Sequence, residues 1–287
     1  MKFSVSSYSF KRMFDRGELN QLFCIKKAAE IGFDAVEFVD IQPHNDMPKE
    51  EYVKQLKDEC LKYVLEISNY TFHADFLNGS LGDTDAEVRR VCKEIEYAVL
   101  LGAKSIRHDV TRGYINCGGY KGFDNALPVL SKACRQVTQY AKELGIKTMM
   151  ENHGFFCQDS RRVEKLVNTV ADDNFGILCD MGNFLCADED PCMAVGRVAP
   201  YTVYVHAKDF IMKNGYEPYP GDSFFKTRAG NYLRGTIIGH GVVQIKQCMS
   251  ILKANGYDGT VAIEFEGSEE TIPALREGLA NLKSYSS

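Results

Sequence analysis

Eight short apolar, β-branched runs recur along the chain, and a longer segment with helical periodicity follows each of them. The runs fall at 2–8, 35–39, 66–70, 104–109, 147–151, 175–180, 202–206 and 260–265. The helical segments fall at 18–31, 49–63, 84–101, 124–144, 160–171, 190–198, 242–254 and 269–284. Strict alternation of this kind implies parallel strands joined by crossover helices. Eight units is the number that closes a (β/α)8 barrel. The expected fold is therefore α/β, a single (β/α)8 TIM barrel over residues 1–287 with a long loop after strand seven. An open doubly wound sheet is the alternative; it usually has fewer strands and would leave two edges to cover.

Local signals agree with this division. In 84–101, Val88, Val91, Ile95, Ala98 and Val99 form one stripe beside Arg89, Arg90, Lys93 and Glu94. Gly32, Gly102, Gly145 and Gly256 follow helices as left-handed caps, and Pro191 suits a first turn. Between His206 and Val242 the chain is rich in Gly, Tyr, Pro and Asn, which places a long loop over the barrel mouth. Within 210–233, Phe210, Tyr216, Tyr219, Phe224, Phe225 and Tyr232 suit a lid or a subunit contact, the latter implying a homo-oligomer.

A composition of 45% hydrophobic and 25% charged residues can bury a large core, and 287 residues is an ordinary length for one barrel. A net charge of -5 gives no electrostatic reason to bind nucleic acid or an anionic membrane. Ten cysteines (24, 60, 92, 117, 134, 157, 179, 186, 192 and 248) show no CxxC spacing, and several lie in apolar runs. They read as free thiols in a reducing compartment. The N-terminus lacks an apolar signal core and no run of about 18 apolar residues could span a bilayer, so the expected location is cytoplasmic.

Parallel strands buried on both faces should be apolar throughout, yet here their C-terminal ends are polar. They end in Ser6 and Tyr8, Glu37, Asn69, Arg107 with Asp109, Glu151 with His153, Asp180, His206 with Lys208, and Glu264 with Glu266. In a barrel this end builds the active site. Glu151, Asp180, His206 and Glu264 come from four successive strands and can converge on one divalent ion. Three carboxylates and an imidazole suit Mn2+, Mg2+, Co2+ or Zn2+. Separate ion pairs with Arg107 and Lys208 are the structural alternative. A Schiff base on Lys147 or Lys208 would leave the three acids unexplained.

The motifs Met-Glu151-Asn-His153-Gly, Cys-Asp180-Met-Gly-Asn183, Val-His206-Ala-Lys208-Asp209 and Ile-Glu264-Phe-Glu266-Gly resemble those of the xylose isomerase-like sugar phosphate isomerase/epimerase superfamily. Gly32-Phe-Asp-Ala-Val-Glu37-Phe and Gly239-His-Gly241 extend the resemblance over nearly the whole chain. It implies a metal held by Glu151, Asp180, His206 and Glu264. Many relatives carry a substrate-binding histidine where this chain has Asn183, which leaves the sugar open. Glu266 shares a strand face with Glu264 and competes for the fourth ligand position; Glu264 is preferred.

Such a site stabilises the enediolate formed when a ketose loses the proton beside its carbonyl. Glu151 and Glu264 can remove that proton and return it on the other face or at the next carbon, giving epimerisation or isomerisation. Arg107, His153, Asn183, Lys208 and Glu266 are the candidate substrate contacts, with Arg107 able instead to pair with a ligand carboxylate. Loss of a β-hydroxyl would make the enzyme a dehydratase of a keto-inositol-like substrate. A non-catalytic sugar-binding barrel is the remaining alternative. A DNA-cleaving barrel of the endonuclease IV type would need more ligand histidines than six scattered ones and a basic face.

Overall fold

The computed structural model describes residues 1–43, 47–115 and 121–286, so Cys117 lies outside the described residues. Eight parallel strands close into a barrel in the order β1 (Lys2–Ser6), β11 (Thr260–Ile263), β7 (Thr202–Ala207), β6 (Phe175–Asp180), β5 (Lys147–Glu151), β4 (Ser105–His108), β3 (Glu66–Phe72) and β2 (Ala35–Val39). Each is one of the eight runs, shifted by three residues or fewer at its ends. Outside the barrel pack α2 (Gln21–Ile31), α3 (Lys49–Lys62), α4 (Thr84–Leu101), α5 (Phe123–Glu143), α6 (Ser160–Val170), α7 (Pro191–Val198), α8 (Ile245–Ala254) and α9 (Thr271–Tyr285).

Most apolar burial lies between the barrel wall and these helices. On α4 the stripe Val88, Val91, Ile95 and Ala98 is buried, but Val99 is 43% exposed. One step of about 100° past Ala98 carries it off the stripe. The helix expected at 18–31 starts three residues later, as α2, where Asn20 caps it by accepting from the Phe23 N–H; a separate short helix, α1 (Lys11–Asp15), precedes it. The nine described cysteines are free. Among the described residues no helix is long and apolar enough to cross a membrane.

The segment after strand seven is more ordered than a loop. It forms a three-stranded antiparallel sheet of β8 (Asp209–Lys213), β9 (Phe225–Lys226) and β10 (Tyr232–Thr236). Its root is Asp209, whose buried carboxylate accepts from the N–H groups of Phe210 (2.9 Å), Gly239 (2.9 Å), Gly241 (2.9 Å) and Val243 (3.1 Å). This explains the Gly-His-Gly sequence before α8. Gly239 has φ +93°, and a Cβ on Gly241 would fall 2.1 Å from Asp209 Oδ1. Asp209→Ala should leave these donors unsatisfied and lower unfolding free energy by about 2–4 kcal/mol, measured by urea denaturation.

Candidate metal centre at the barrel mouth

Strand alternation brings the three candidate acids and the histidine together. Glu151, Asp180, His206 and Glu264 are all buried, and one ligand-type atom from each lies within 4.8 Å of the others. Two positions earlier on the same strands stand Met149, Leu178, Tyr204 and Ala262, which form their own buried cluster. Side chains two apart share a strand face, so this second cluster is an apolar floor beneath the first. In the low dielectric above such a floor, each charge acts strongly on its neighbours.

The imidazole is fixed from behind. Its Nε2 hydrogen-bonds Glu37 Oε2 at 2.6 Å. Glu37 Oε1 in turn accepts from Asn69 Nδ2 (2.9 Å) and Thr71 Oγ1 (2.5 Å). A carboxylate can only accept, so Nε2 carries the hydrogen and Nδ1 is turned to the acids. Nδ1 lies 3.6 Å from Glu264 Oε2, 3.7 Å from Glu151 Oε1 and 3.9 Å from Asp180 Oδ2. These gaps are too long for hydrogen bonds. Among the described residues, His206 Nδ1 and Asp180 Oδ2 are buried with no hydrogen-bond partner. Ligand atoms that each sit about 2.1 Å from one ion are roughly 3–4 Å apart. The spacing fits an ion between them, and the two atoms left without hydrogen bonds are among those that face it.

The flanking cations are present too. Lys208 Nζ lies 2.5 Å from Glu264 Oε2, 3.3 Å from Asp180 Oδ2 and 3.4 Å from Glu266 Oε1. Arg107 Nη2 bridges Glu151 Oε2 (2.5 Å) and Asp109 Oδ1 (2.7 Å). The ion pairs therefore stand at the rim of the acid cluster and do not disperse it. Burial raises the Glu151 and Glu264 carboxyls, but Arg107 overrides it at Glu151, and Lys208 with His206 overrides it at Glu264, so both end below the usual range. At Asp180 burial wins, helped by Glu151 and Glu264 against Lys208, and lifts the group to about 6. Burial disfavours the charged imidazole of His206, yet Glu37 and Glu264 hold it well above its ordinary value.

The other expected contacts surround this cluster. Asn183 donates from Nδ2 to Glu151 Oε1 at 3.0 Å, and its Oδ1 lies 3.3 Å from Lys208 Nζ. Glu266 reaches Lys208 but stays outside the four-residue group, its side chain 29% exposed. His153 Nδ1 meets Asp109 Oδ1 at 2.9 Å, while His73 Nδ1 meets Asp109 Oδ2 at 2.7 Å. Sequence reading left Asp109 and His73 out of the candidate site; only the polar strand end Arg107-His-Asp109 signalled the former. A cavity of about 270 Å3 opens beside the cluster, with His153, Phe155, Asn183, Lys208, Phe225 and Glu266 in its walls.

Residues 25–285 match the model of the xylose isomerase-like TIM barrel family. The chain belongs to that family. It is 26% identical over 283 residues to an uncharacterised protein of Methanocaldococcus jannaschii, covering 95% of this chain and 86% of that one. It is 22% identical over 253 residues to an inosose dehydratase of Bacillus thuringiensis, covering 85% and 81%. Among solved structures it is similar to a D-allulose 3-epimerase from Methylomonas sp. (TM-score 0.73, 16% identity, 99% and 98% covered). It is also similar to the IOLI protein with a bound zinc atom (TM-score 0.75, 15% identity, 99% and 98% covered).

The geometry predicts one divalent ion per chain, measured by metal analysis after dialysis against Mn2+. His206→Ala and Asp180→Asn should lose it. Glu37→Gln should weaken it about 10–100-fold by loosening the imidazole. Binding must displace the protons on Asp180 and on His206 Nδ1, so affinity should fall as pH drops through about 6 and should keep rising with pH above it.

Proposed function

We propose that this family member is a divalent-metal-dependent isomerase or epimerase of a small sugar or keto-polyol. In this reading Glu151, Asp180, His206 and Glu264 hold the ion. The observation that carries it is the pair Glu151 and Glu264, two buried carboxylates in one cluster, each ion-paired to its own cation, Arg107 and Lys208. They stand on β5 and just beyond β11, with β6 and β7 between them in the barrel. A substrate lying over His206 would meet one carboxylate from each side.

A bound ion would polarise the carbonyl and adjacent hydroxyl of a ketose and stabilise the charge left when the neighbouring proton departs. Glu151 or Glu264 takes that proton, and the other returns one on the opposite face. Lys208, 2.5 Å from Glu264, tempers its basicity and supplies N–H donors to the cavity. His153 is oriented by Asp109 and lines the same cavity, where it can hold a substrate hydroxyl. Arg107 anchors Glu151, and Asn183 donates to that carboxylate's other oxygen.

A second reading, dehydration of a keto-inositol-like substrate, draws support from the inosose dehydratase relative. The first proton abstraction is common to both, and the fates diverge only when a β-hydroxyl leaves. A ketose panel of D-allulose, D-fructose and inosose in deuterated buffer with Mn2+ separates them. Epimerase or isomerase chemistry predicts deuterium beside the carbonyl and a stereochemically altered or isomeric product. Loss of water would favour the lyase, and binding without exchange on any of them would overturn both.

Glu151→Gln and Glu264→Gln keep the shape and lose the base, because an amide cannot take a proton at neutral pH. Each should cut turnover roughly 10²–10⁴-fold. Each should still allow some exchange through the remaining carboxylate. Glu266→Gln should be much milder. Full turnover in both the Glu151 and Glu264 variants would exclude the two-base scheme.

A further inference from the structure

The loop after β5 holds an aromatic residue in a conformation its side chain disfavours. Phe155 has φ 64°, in the left-handed region where a Cβ crowds the backbone. The residue is 45% exposed, so full burial does not offset the strain. The Phe156 N–H donates across it to Gly154 O at 2.7 Å, and two further contacts steady it. The buried Gln158 accepts from the Phe155 N–H (2.5 Å) and donates to Asn183 O (2.8 Å). Arg228, on the turn between β9 and β10, donates from Nη2 to Phe155 O.

That turn is itself fastened to the loop after β6. Arg228 N–H donates to Cys186 O at 2.9 Å. The Asp188 carboxylate accepts from Thr227 Oγ1 (2.6 Å), Ala229 N–H (2.5 Å) and Asn231 Nδ2 (2.9 Å). Asp188 is also left-handed, at φ 56°. Two positive-φ residues that are not glycine thus flank the place where the hairpin docks, and of the two Phe155 is the one whose side chain disfavours it. Strain of this kind persists where the surroundings over-determine it, and it gathers at functional sites. Through Gln158 and Asn183, the contact reaches Glu151.

We infer that Phe155 is a specificity-determining wall of the substrate cavity, its ring packing on the C–H face of the bound sugar while the docked hairpin holds it in place. This rests on the sugar-enzyme reading above. His153, Lys208 and Glu266 offer polar contacts to hydroxyl edges, and Phe155 with Phe210 and Phe225 supplies an apolar side to the same cavity. A residue held at positive φ by its own turn (Phe156 N–H to Gly154 O, 2.7 Å) and steadied by Gln158 and Arg228 couples hairpin docking to substrate affinity. Release of the turn frees Phe155 to relax and removes the wall.

Phe155→Gly separates this role from packing, because glycine adopts a positive φ without strain. With Mn2+ bound, the variant should melt no lower than the wild type and keep its metal. Its KM for whichever of D-allulose, D-fructose or inosose the wild type converts should rise about three- to tenfold, with kcat little changed. Arg228→Ala should raise KM similarly and expose the 213–231 segment to protease. The double variant should be no worse than the poorer single one, since both remove the same wall. A lower melting temperature in Phe155→Gly or an unchanged KM would each overturn the proposal. If the wild type neither binds nor exchanges any of the three compounds, the sugar-enzyme reading falls and the wall falls with it. If the wild type does and Phe155→Gly matches it, only the wall falls.

Discussion

Negative charge confined away from water is the constraint around which the barrel mouth is organised. Glu151, Asp180 and Glu264 crowd against one imidazole nitrogen, with apolar side chains directly beneath. Like charges at that distance and in that dielectric repel strongly unless a cation stands among them. Lys208 and Arg107 supply part of the compensation from the rim, and each would be costly to bury without the acids. Glu37 then orients His206 so that its open nitrogen faces inward. Each of these residues makes sense only with the others in place, and a divalent ion between them would complete the balance.

The hairpin inserted after β7 extends this dependence outward. Asp209 roots it through four backbone N–H groups immediately after Lys208, so the lysine's placement and the start of the sheet are set together. At its far end the turn grips the loops after β5 and β6 through Arg228 and Asp188. The insertion therefore covers the cavity and also helps shape two of its walls.

The barrel was legible in the sequence because strands buried on both faces must be near-continuous apolar runs, and helices between them carry a different period. The acid–histidine cluster was legible for the opposite reason: polar residues at the ends of such runs violate the pattern. Period-two alternation even fixes the apolar floor, since Met149 precedes Glu151 and Leu178 precedes Asp180 by two positions. The inserted sheet was not legible, because β8 leads into a Gly- and Pro-containing stretch and β9 has only two residues. The supporting polar contacts left no spacing signal at all. Asp109 meets His73 across 36 positions, Thr227 meets Asp188 across 39, and Arg228 meets Phe155 across 73. Only folding brings those pairs together. The later start of α2, at Gln21 in place of residue 18, was not legible because Asn20 caps it locally within an otherwise acceptable helical pattern.

Anomalous diffraction from crystals soaked in Mn2+ tests the central claim most directly. The account predicts one strong peak within about 2.0–2.5 Å of Glu151, Asp180, Glu264 and the Nδ1 atom of His206, with Nε2 still bonded to Glu37. No peak there, or one elsewhere with His206 Nδ1 hydrogen-bonded to a protonated carboxyl, would contradict it.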